Sequence, residues 1–433
     1  MNPTPGRHNT PFLDKKAVEE IAQRVGTPFY LYKSEEIRDR IAEIRSLMDA
    51  PGLRARFAMK SCSTRRVLEE FKTQDMWLDT VSGNEILRAK RVGFPMGSTP
   101  PVLLYTADVF RDNALEVVVK NQILPTIGTY HMVDELSRAN YSGPVGIRLN
   151  PGFGHGHVQQ CDTGGPASKH GIWHEDEATV RNHIGKNGFR ITYLHSHIGT
   201  GAEIAEFQTN VSRLADFFME RIKKYPDLEA VNFGGGIPHP YRPGAPRIDL
   251  EECGKTLQES QEKISKEAGR EIRVEIEPGR YMVASGAALV TRVRGVKDTR
   301  TNEKGPGHHY VMVDAGFCDL VRPAMYGAYH HIEVLGKDHG PFEPQILAGP
   351  LCESGDIFTR DSEELLAPRS LPPAEVDDLV LIHDAGAYGI VMSSSYNSIG
   401  QVPQVWMEGG KAFLISRRQT LDDLIRAECF EEL

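Results

Sequence analysis

The chain has 433 residues, 40% of them hydrophobic and 25% charged, and a formal net charge of −9. That size buries a large core, in about two domains, without disulfide or metal staples. The acidic balance argues against a nucleic-acid or anionic-membrane partner, and no apolar run reaches membrane-spanning length.

The N-terminus, Met1 to Thr10, is polar and lacks an apolar signal core. Six cysteines (Cys62, Cys161, Cys253, Cys318, Cys352 and Cys429) are scattered with no CxxC pair. In a chain this long they read as reduced thiols, so the expected location is cytoplasmic.

From residue 56 the pattern alternates between short apolar runs and amphipathic stretches. Arg56–Lys60 reads as a strand and Thr64–Lys72 as a helix. Met76–Ser82 is a strand, and Asn84–Val92 a helix stopped by Gly93. Val102–Thr106 is a strand, followed by a helix over Asp108–Lys120. Ile123–Gly128 is a strand, followed by a helix over His131–Ala139. Val145–Asn150 is a strand leading into a Gly-rich loop and a helix near Glu175–Gly185. Ile191–Gly199 is a strand followed by a long helix, Ala205–Lys224. Ala230–Gly236 is a strand, Glu251–Ala268 a helix, and Arg273–Pro278 a last strand. Eight such strands, seven of them followed by a helix, predict a (β/α)8 TIM-type barrel rather than an open doubly wound sheet.

After Gly286 strand-like runs such as Ala288–Val296 and Tyr310–Val313 follow one another without helices, among frequent Gly/Pro turns. This predicts a second, mainly β domain. The expected division is a barrel over residues 36–286 and a β domain over residues 1–35 plus 287–433. The run Pro28–Tyr32 would join the latter.

Barrel sites sit at the C-terminal ends of the strands. There this sequence places Lys60, then Asp79 with Ser82 and Glu85, then His195 and His197 before Gly199-Thr200-Gly201. Gly234-Gly235-Gly236 and Glu277-Pro278-Gly279-Arg280 end strands seven and eight. Glycines let backbone N–H groups approach an anion, and Arg280 adds a cation. A lone triple glycine reads as a tight turn. Two such loops at the pair of strands where barrels bind phosphate point to a phosphate site. Lys60 alone is a rim lysine, but a lysine in a partly desolvated barrel mouth can form a Schiff base. Lysine and phosphate site together suggest pyridoxal phosphate. Glu277, facing a pyridine nitrogen, would keep it protonated and make the ring a strong electron sink, which favours decarboxylation. His195-x-His197 also admits a metal pair, since residues i and i+2 share a strand face, although no third ligand stands out. Cys352 is either a proton donor or a small buried residue.

With these motifs the chain resembles the diaminopimelate decarboxylases, in the alanine-racemase-like class of pyridoxal-phosphate enzymes. The resemblance runs from about residue 26 to the C-terminus. It is carried by FAMKSCS (57–63), DTVSGNE (79–85), NPGFGHGH (150–157), TGGPASKHGI (163–172), HSHIGTG (195–201), FGGG (233–236), EPGR (277–280), RPAMYG (322–327), CESGD (352–356) and DAGAYG (384–389). It implies that Lys60 is the Schiff-base lysine, that Asp79 helps hold the cofactor region, and that His197 stacks on the ring. Thr200, Gly234, Gly235, Gly236, Gly279, Arg280 and Tyr388 would hold the cofactor, chiefly its phosphate, with Glu277 on the pyridine nitrogen. Cys352 would protonate the carbanion left by carbon dioxide. Arg322, Tyr326 and Glu353 would recognise the far end of the amino-acid substrate, with Arg280 and Tyr388 also binding it. The family forms homodimers with shared sites, Cys352 and Glu353 coming from the neighbouring subunit, and makes L-lysine from meso-diaminopimelate.

One stretch departs from the pattern. After the Tyr388 motif the family usually continues Asn-Tyr-Asn-x-Arg-Pro, whereas this chain reads Ser395-Tyr396-Asn397-Ser398-Ile399-Gly400. A related decarboxylase for another or a carrier-bound amino acid would keep the same cofactor machinery. A non-catalytic pyridoxal-phosphate-binding protein would usually lose the lysine or the cysteine, and both are present.

Overall fold

Apolar runs that are buried on both faces suit parallel strands flanked by helices, and here such strands close on themselves. The computed structural model describes residues 13–154, 163–199, 204–337, 339–361, 363 and 365–431. It divides into two units. One comprises residues 38–239 and 248–282; the other comprises the chain up to residue 37, residues 240–247, and the chain from 283 onward.

In chain order, β1 (Phe29–Lys33) belongs to the second unit. The first is built from β2 (Leu53–Ala58), β3 (Trp77–Thr80), β4 (Leu103–Tyr105), β5 (Leu124–Ile127), β6 (Val145–Asn150), the two-residue β7 (Ile172–Trp173), β8 (Ile191–His195), β9 (Ala230–Asn232) and β10 (Arg273–Ile276). The pairing runs β5-β4-β3-β2-β10-β9-β8-β6, and a further β5–β6 pairing closes the ring. All these pairs are parallel, and β7 only extends the ladder beside Leu149 and Asn150. The result is the eight-stranded parallel barrel that the strand count predicts.

The barrel interior is packed, with size matched across strands. Gly146 faces Tyr193, and a Cβ at Gly146 would lie 3.1 Å from that of the tyrosine. Arg56 and Glu275, both without solvent exposure, form an ion pair inside the barrel. Arg56 also donates to the carbonyls of Val102 (3.0 Å) and Pro101 (2.8 Å) and stacks over Trp77 with Cζ 4.7 Å from the ring centre. A buried charge is tolerated only when it is paired and hydrogen-bonded this fully.

The expected strands are right in number and order, and Val145–Asn150 is matched at both ends, but the others run too long at their C-terminal ends. The first stops at Ala58, so Lys60 lies on a 3₁₀ turn, Met59–Ser61, rather than on the strand. His197, Gly234–Gly236 and Glu277–Pro278 likewise lie beyond β8, β9 and β10. These tails leave the ladder because they form the mouth of the barrel. The helix expected over Asp108–Lys120 begins only at Ala114. Asp112, at φ +52°, interrupts the segment, and the Asp108 carboxylate bonds to the backbone of Gly171 instead. The helix expected to end at Lys224 stops at Met219, before a separate 3₁₀ turn.

The second unit is mainly β. Its strands are β1, β11 (Ala287–Asp298), β12 (His309–Val313), β13 (Ile332–Val334), β14 (Glu343–Ala348), β15 (Arg369–Leu371), β16 (Leu379–Ile382), β17 (Gln404–Glu408) and β18 (Lys411–Ser416). The sheet order is β15-β14-β12-β11-β1-β17-β18, with β16 on β11 and β13 on β16. β1 runs antiparallel to β11 and parallel to β17. The amphipathic helix Lys15–Val25 covers one face, packing Val18, Ile21 and Ala22 against Phe29, Leu31, Val290, Leu381 and Val405.

Candidate active site

Three strand ends interlock at the mouth of the barrel. Gly234 follows β9 at φ +70°, and a Cβ there would lie 2.5 Å from the His197 Cβ, so only glycine fits. Glu277 N donates to Gly234 O at 2.8 Å, tying the tail of β10 to the glycine loop. Gly279 packs beneath the Lys60 turn, where a Cβ would lie 3.0 Å from Ser61 Oγ, and Ala58 N donates to Pro278 O. His197, Gly234, Gly235, Gly236, Glu277 and Gly279 are therefore on loops at this one end, with Lys60 on its 3₁₀ turn and Arg280 opening the short helix Arg280–Val283. Lys60 is exposed rather than desolvated by its protein neighbours, because it rides on a turn above the last strand residue. Thr200 lies outside the described residues.

Glu277 is 6% exposed and is held by two neighbouring strands. His195 Nε2 lies 3.1 Å from Oε2, and Asn232 Nδ2 donates to Oε1 at 2.7 Å. Burial disfavours its charge, but the charge and hydrogen bond of His195, with Lys60 and His197, outweigh burial and pull the group down to about 2. Asp79, 1% exposed, behaves oppositely. Burial and the Glu277 charge push it well above the ordinary carboxylate range, against Lys60 and a hydrogen bond from Thr106 Oγ1. Two carboxyl groups at one mouth are thus pushed in opposite directions. Because an ionised Glu277 only accepts, His195 presents N–H at Nε2. His197 is pushed well below the ordinary histidine range by burial first, then by Lys60 and Arg148. The Nδ1 atoms of His195 and His197 are both buried with no partner among the described residues.

The polar cluster continues below Glu277. Asn232 Nδ2 also donates to Tyr193 OH at 2.6 Å, and Tyr193 OH donates to Glu275. Asn232 and His195 thus support Glu277, yet neither is expected from the sequence as a cofactor-site residue. Their signal is weak: a polar residue inside an otherwise apolar barrel strand. Arg148, 8% exposed within β6, gives the same signal.

Other polar residues near the mouth build loops. Ser82 caps the helix Gly83–Val92 by accepting from Glu85 N, and the Glu85 carboxylate accepts from Val81 N at 2.8 Å. Asn150 Oδ1 accepts from Gly152 N and Gly165 N, pinning the Gly-rich loop. Asp108 pairs with His170 Nδ1 at 2.8 Å. Among the described residues no group of three or more His, Cys, Asp or Glu side chains is placed to hold a metal ion.

The second unit holds the remaining expected residues. Arg322 is buried, at 3% exposure, and opens the short helix Arg322–Tyr326; Tyr326 is half-buried. Cys352 and Glu353 are exposed on a loop wrapped around Asp356, whose carboxylate accepts from Leu351 N and Phe317 N. Cys352 N donates to Asn397 Oδ1 at 3.1 Å, so an asparagine that keeps the family pattern, within the stretch that otherwise departs from it, braces the cysteine loop. Gly400 in that stretch would place a Cβ 2.9 Å from Gln419 O. Tyr388 adopts φ +56°, a left-handed conformation rare for an aromatic residue.

Residues 34–284 match the family model of the pyridoxal-dependent decarboxylases, pyridoxal binding domain. The diaminopimelate decarboxylase of Escherichia coli K12 is 38% identical over 408 residues, 93% of this chain and 94% of that protein. A crystal structure of a diaminopimelate decarboxylase superposes with a TM-score of 0.88 at 36% identity, covering 96% of this chain and 98% of the other. The Helicobacter pylori diaminopimelate decarboxylase complexed with L-lysine superposes at 0.82 with 26% identity, covering 94% and 98%.

Proposed function

The chain belongs to the diaminopimelate decarboxylase family of pyridoxal-dependent decarboxylases, and from that premise we propose that it converts meso-2,6-diaminopimelate to L-lysine and carbon dioxide. The observation that carries the reading is Glu277, held ionised in the barrel mouth by His195 and Asn232.

The residues at the mouth fit pyridoxal phosphate. A buried His197 Nδ1 awaits a partner, and the glycine loop beside it tolerates no side chain at Gly234. Bound there, the cofactor supplies an electron sink for the pair of electrons left when carbon dioxide departs. Lys60 would carry it, and its exposure leaves the amine open to reaction. The ionised Glu277 would hold the proton on the ring nitrogen. His197, kept neutral, would stack on the ring without adding charge. Gly234, Gly235, Gly236, Gly279, Arg280, Thr200 and Tyr388 would hold the phosphate end. Asp79, pushed toward its neutral form, would line the site beside Glu277.

Cys352 Sγ would return a proton to the carbon that loses carbon dioxide. Arg322, Tyr326 and Glu353 would bind the far end of the substrate, whose charged amino and carboxylate groups suit one acidic and one basic partner. The exposure of Cys352 and Glu353 supports a homodimer in which the second subunit receives them. A catalytic thiol must stay reduced, which suits the cytoplasm. No helix among the described residues is long and apolar enough to cross a membrane.

Carbon dioxide release from meso-diaminopimelate, lysine, ornithine and arginine tests the reading. Release from diaminopimelate alone is expected. Release from another member and none from diaminopimelate would transfer the function to a related decarboxylase. Lys60→Ala should lose the visible absorbance of the bound cofactor, and Cys352→Ala should keep it while turnover falls.

A further inference from the structure

Arg322 sits in a built environment. Its helix ends at Gly327, φ +56°, and Ala328 N folds back to Arg322 O at 3.3 Å. The chain then enters β13, which pairs antiparallel with β16 so that Ile332 faces Ile382. That register brings His383 N to His331 O at 2.9 Å. It also sets the buried His330 ring between two fixed groups. His330 Nδ1 lies 2.8 Å from the His383 carbonyl oxygen, and His330 Nε2 lies 2.9 Å from Arg322 Nη1.

The chemistry of these partners leaves one arrangement. A carbonyl oxygen only accepts, so Nδ1 carries the proton. A guanidinium only donates, so Nε2 offers its lone pair. His330 is therefore the neutral Nδ1–H tautomer, fixed from both sides. Tyr241 adds a second hold. Its hydroxyl accepts from Arg322 Nη1 at 3.0 Å, its ring lies 4.9 Å from Arg322 Cζ, and it packs edge-on against His330 at 5.4 Å. Neither of these two holds Arg322 by ion pairing.

We propose that His330, backed by Tyr241, is a positioning residue that fixes the Arg322 guanidinium for the carboxylate at the far end of the substrate. The proposal rests on the reading of Arg322 given above. It predicts that disturbing His330 weakens ligands carrying that carboxylate and spares those without it. L-Lysine keeps the far-end amino and carboxylate groups, and 1,5-diaminopentane lacks the carboxylate.

The experiment compares inhibition by the two ligands in the wild-type holoenzyme, His330→Phe, His330→Gln and Tyr241→Phe, along with kcat and KM for diaminopimelate. His330→Phe should raise KM and the L-lysine inhibition constant by about tenfold each, with kcat and diaminopentane inhibition within about twofold. His330→Gln, whose amide donates to the His383 carbonyl and accepts from Arg322, should restore most of the difference. Tyr241→Phe removes one oxygen, keeps the question open to test if His330→Phe fails to fold, and should weaken L-lysine by about threefold. Equal weakening of both ligands, or no weakening of L-lysine in His330→Phe and Tyr241→Phe, would overturn the proposal. Wild-type turnover of diaminopimelate reports separately on the function.

Discussion

Asn232 spends its whole amide on the barrel mouth: Nδ2 donates to Glu277 Oε1 at 2.7 Å and to Tyr193 OH at 2.6 Å, and Oδ1 accepts from Gly234 N at 2.7 Å. One side chain thereby joins the carboxylate, the glycine loop and the polar cluster beneath them. Asn232→Leu leaves Glu277 with one fewer donor and should lower kcat by roughly tenfold to a hundredfold, while visible absorbance shows that cofactor is still bound. Unchanged kcat would reduce Asn232 to a packing role.

Gly386 tests how tightly the Tyr388 loop is built. A Cβ there would lie 1.9 Å from Val283 O and 2.9 Å from Val283 C, so backbone must move to admit it. Gly386→Ala should destabilise by about 3 kcal/mol in chemical denaturation. Gly185, in the helix Glu177–Lys186, has nothing within 4 Å of its would-be Cβ. Gly185→Ala should instead stabilise by about 0.5–1 kcal/mol.

Asp319 gives a pH signature. It is 3% exposed, and burial pushes its carboxyl up from 3.8 to about 6, against a hydrogen bond from Gly316 N. The folded state thus favours the protonated form. The stability Asp319 contributes is present below the unfolded value and is lost as pH rises through the folded one. Asp319→Asn does not titrate. Its stability relative to wild type should rise by about 2–3 kcal/mol between roughly pH 4 and roughly pH 8, read from urea midpoints. A constant difference across that range would show that this carboxyl does not titrate there.

The barrel strands are legible because parallel strands buried on both faces appear as short apolar runs between helical stretches. Their ends are less legible. Lys60 and Glu277 continue apolar runs, yet the backbone turns off the ladder just before each. Asp108 reads as a helix start, but its carboxylate serves a loop 62 and 63 residues on, paired with His170 and Gly171. The residues named from motifs were found because glycine loops, a lone lysine and a strand-end carboxylate have chemical signatures. Asn232 and His330 have little in one dimension, and His195 is legible there only as one of a histidine pair. Each takes its meaning from a neighbour across a sheet: Glu277 for Asn232 and His195, and the β13–β16 register for His330.

β1 lies between β11 and β17 in the sheet of the second unit. On the ribosome it emerges before any barrel strand, and both of its neighbours emerge after all of them. A buried strand of aromatic and aliphatic residues therefore has no sheet to join while the whole barrel is being made. Its ladders are long-range contacts, which close slowly, and an open apolar edge is a template for association with other nascent chains. The amphipathic helix Lys15–Val25, which covers Phe29 and Leu31 in the finished sheet, is made just before β1 and is the first local structure able to shield it. Deleting that helix should therefore reduce the yield of soluble protein from synthesis more than it reduces the resistance of the finished protein to denaturant.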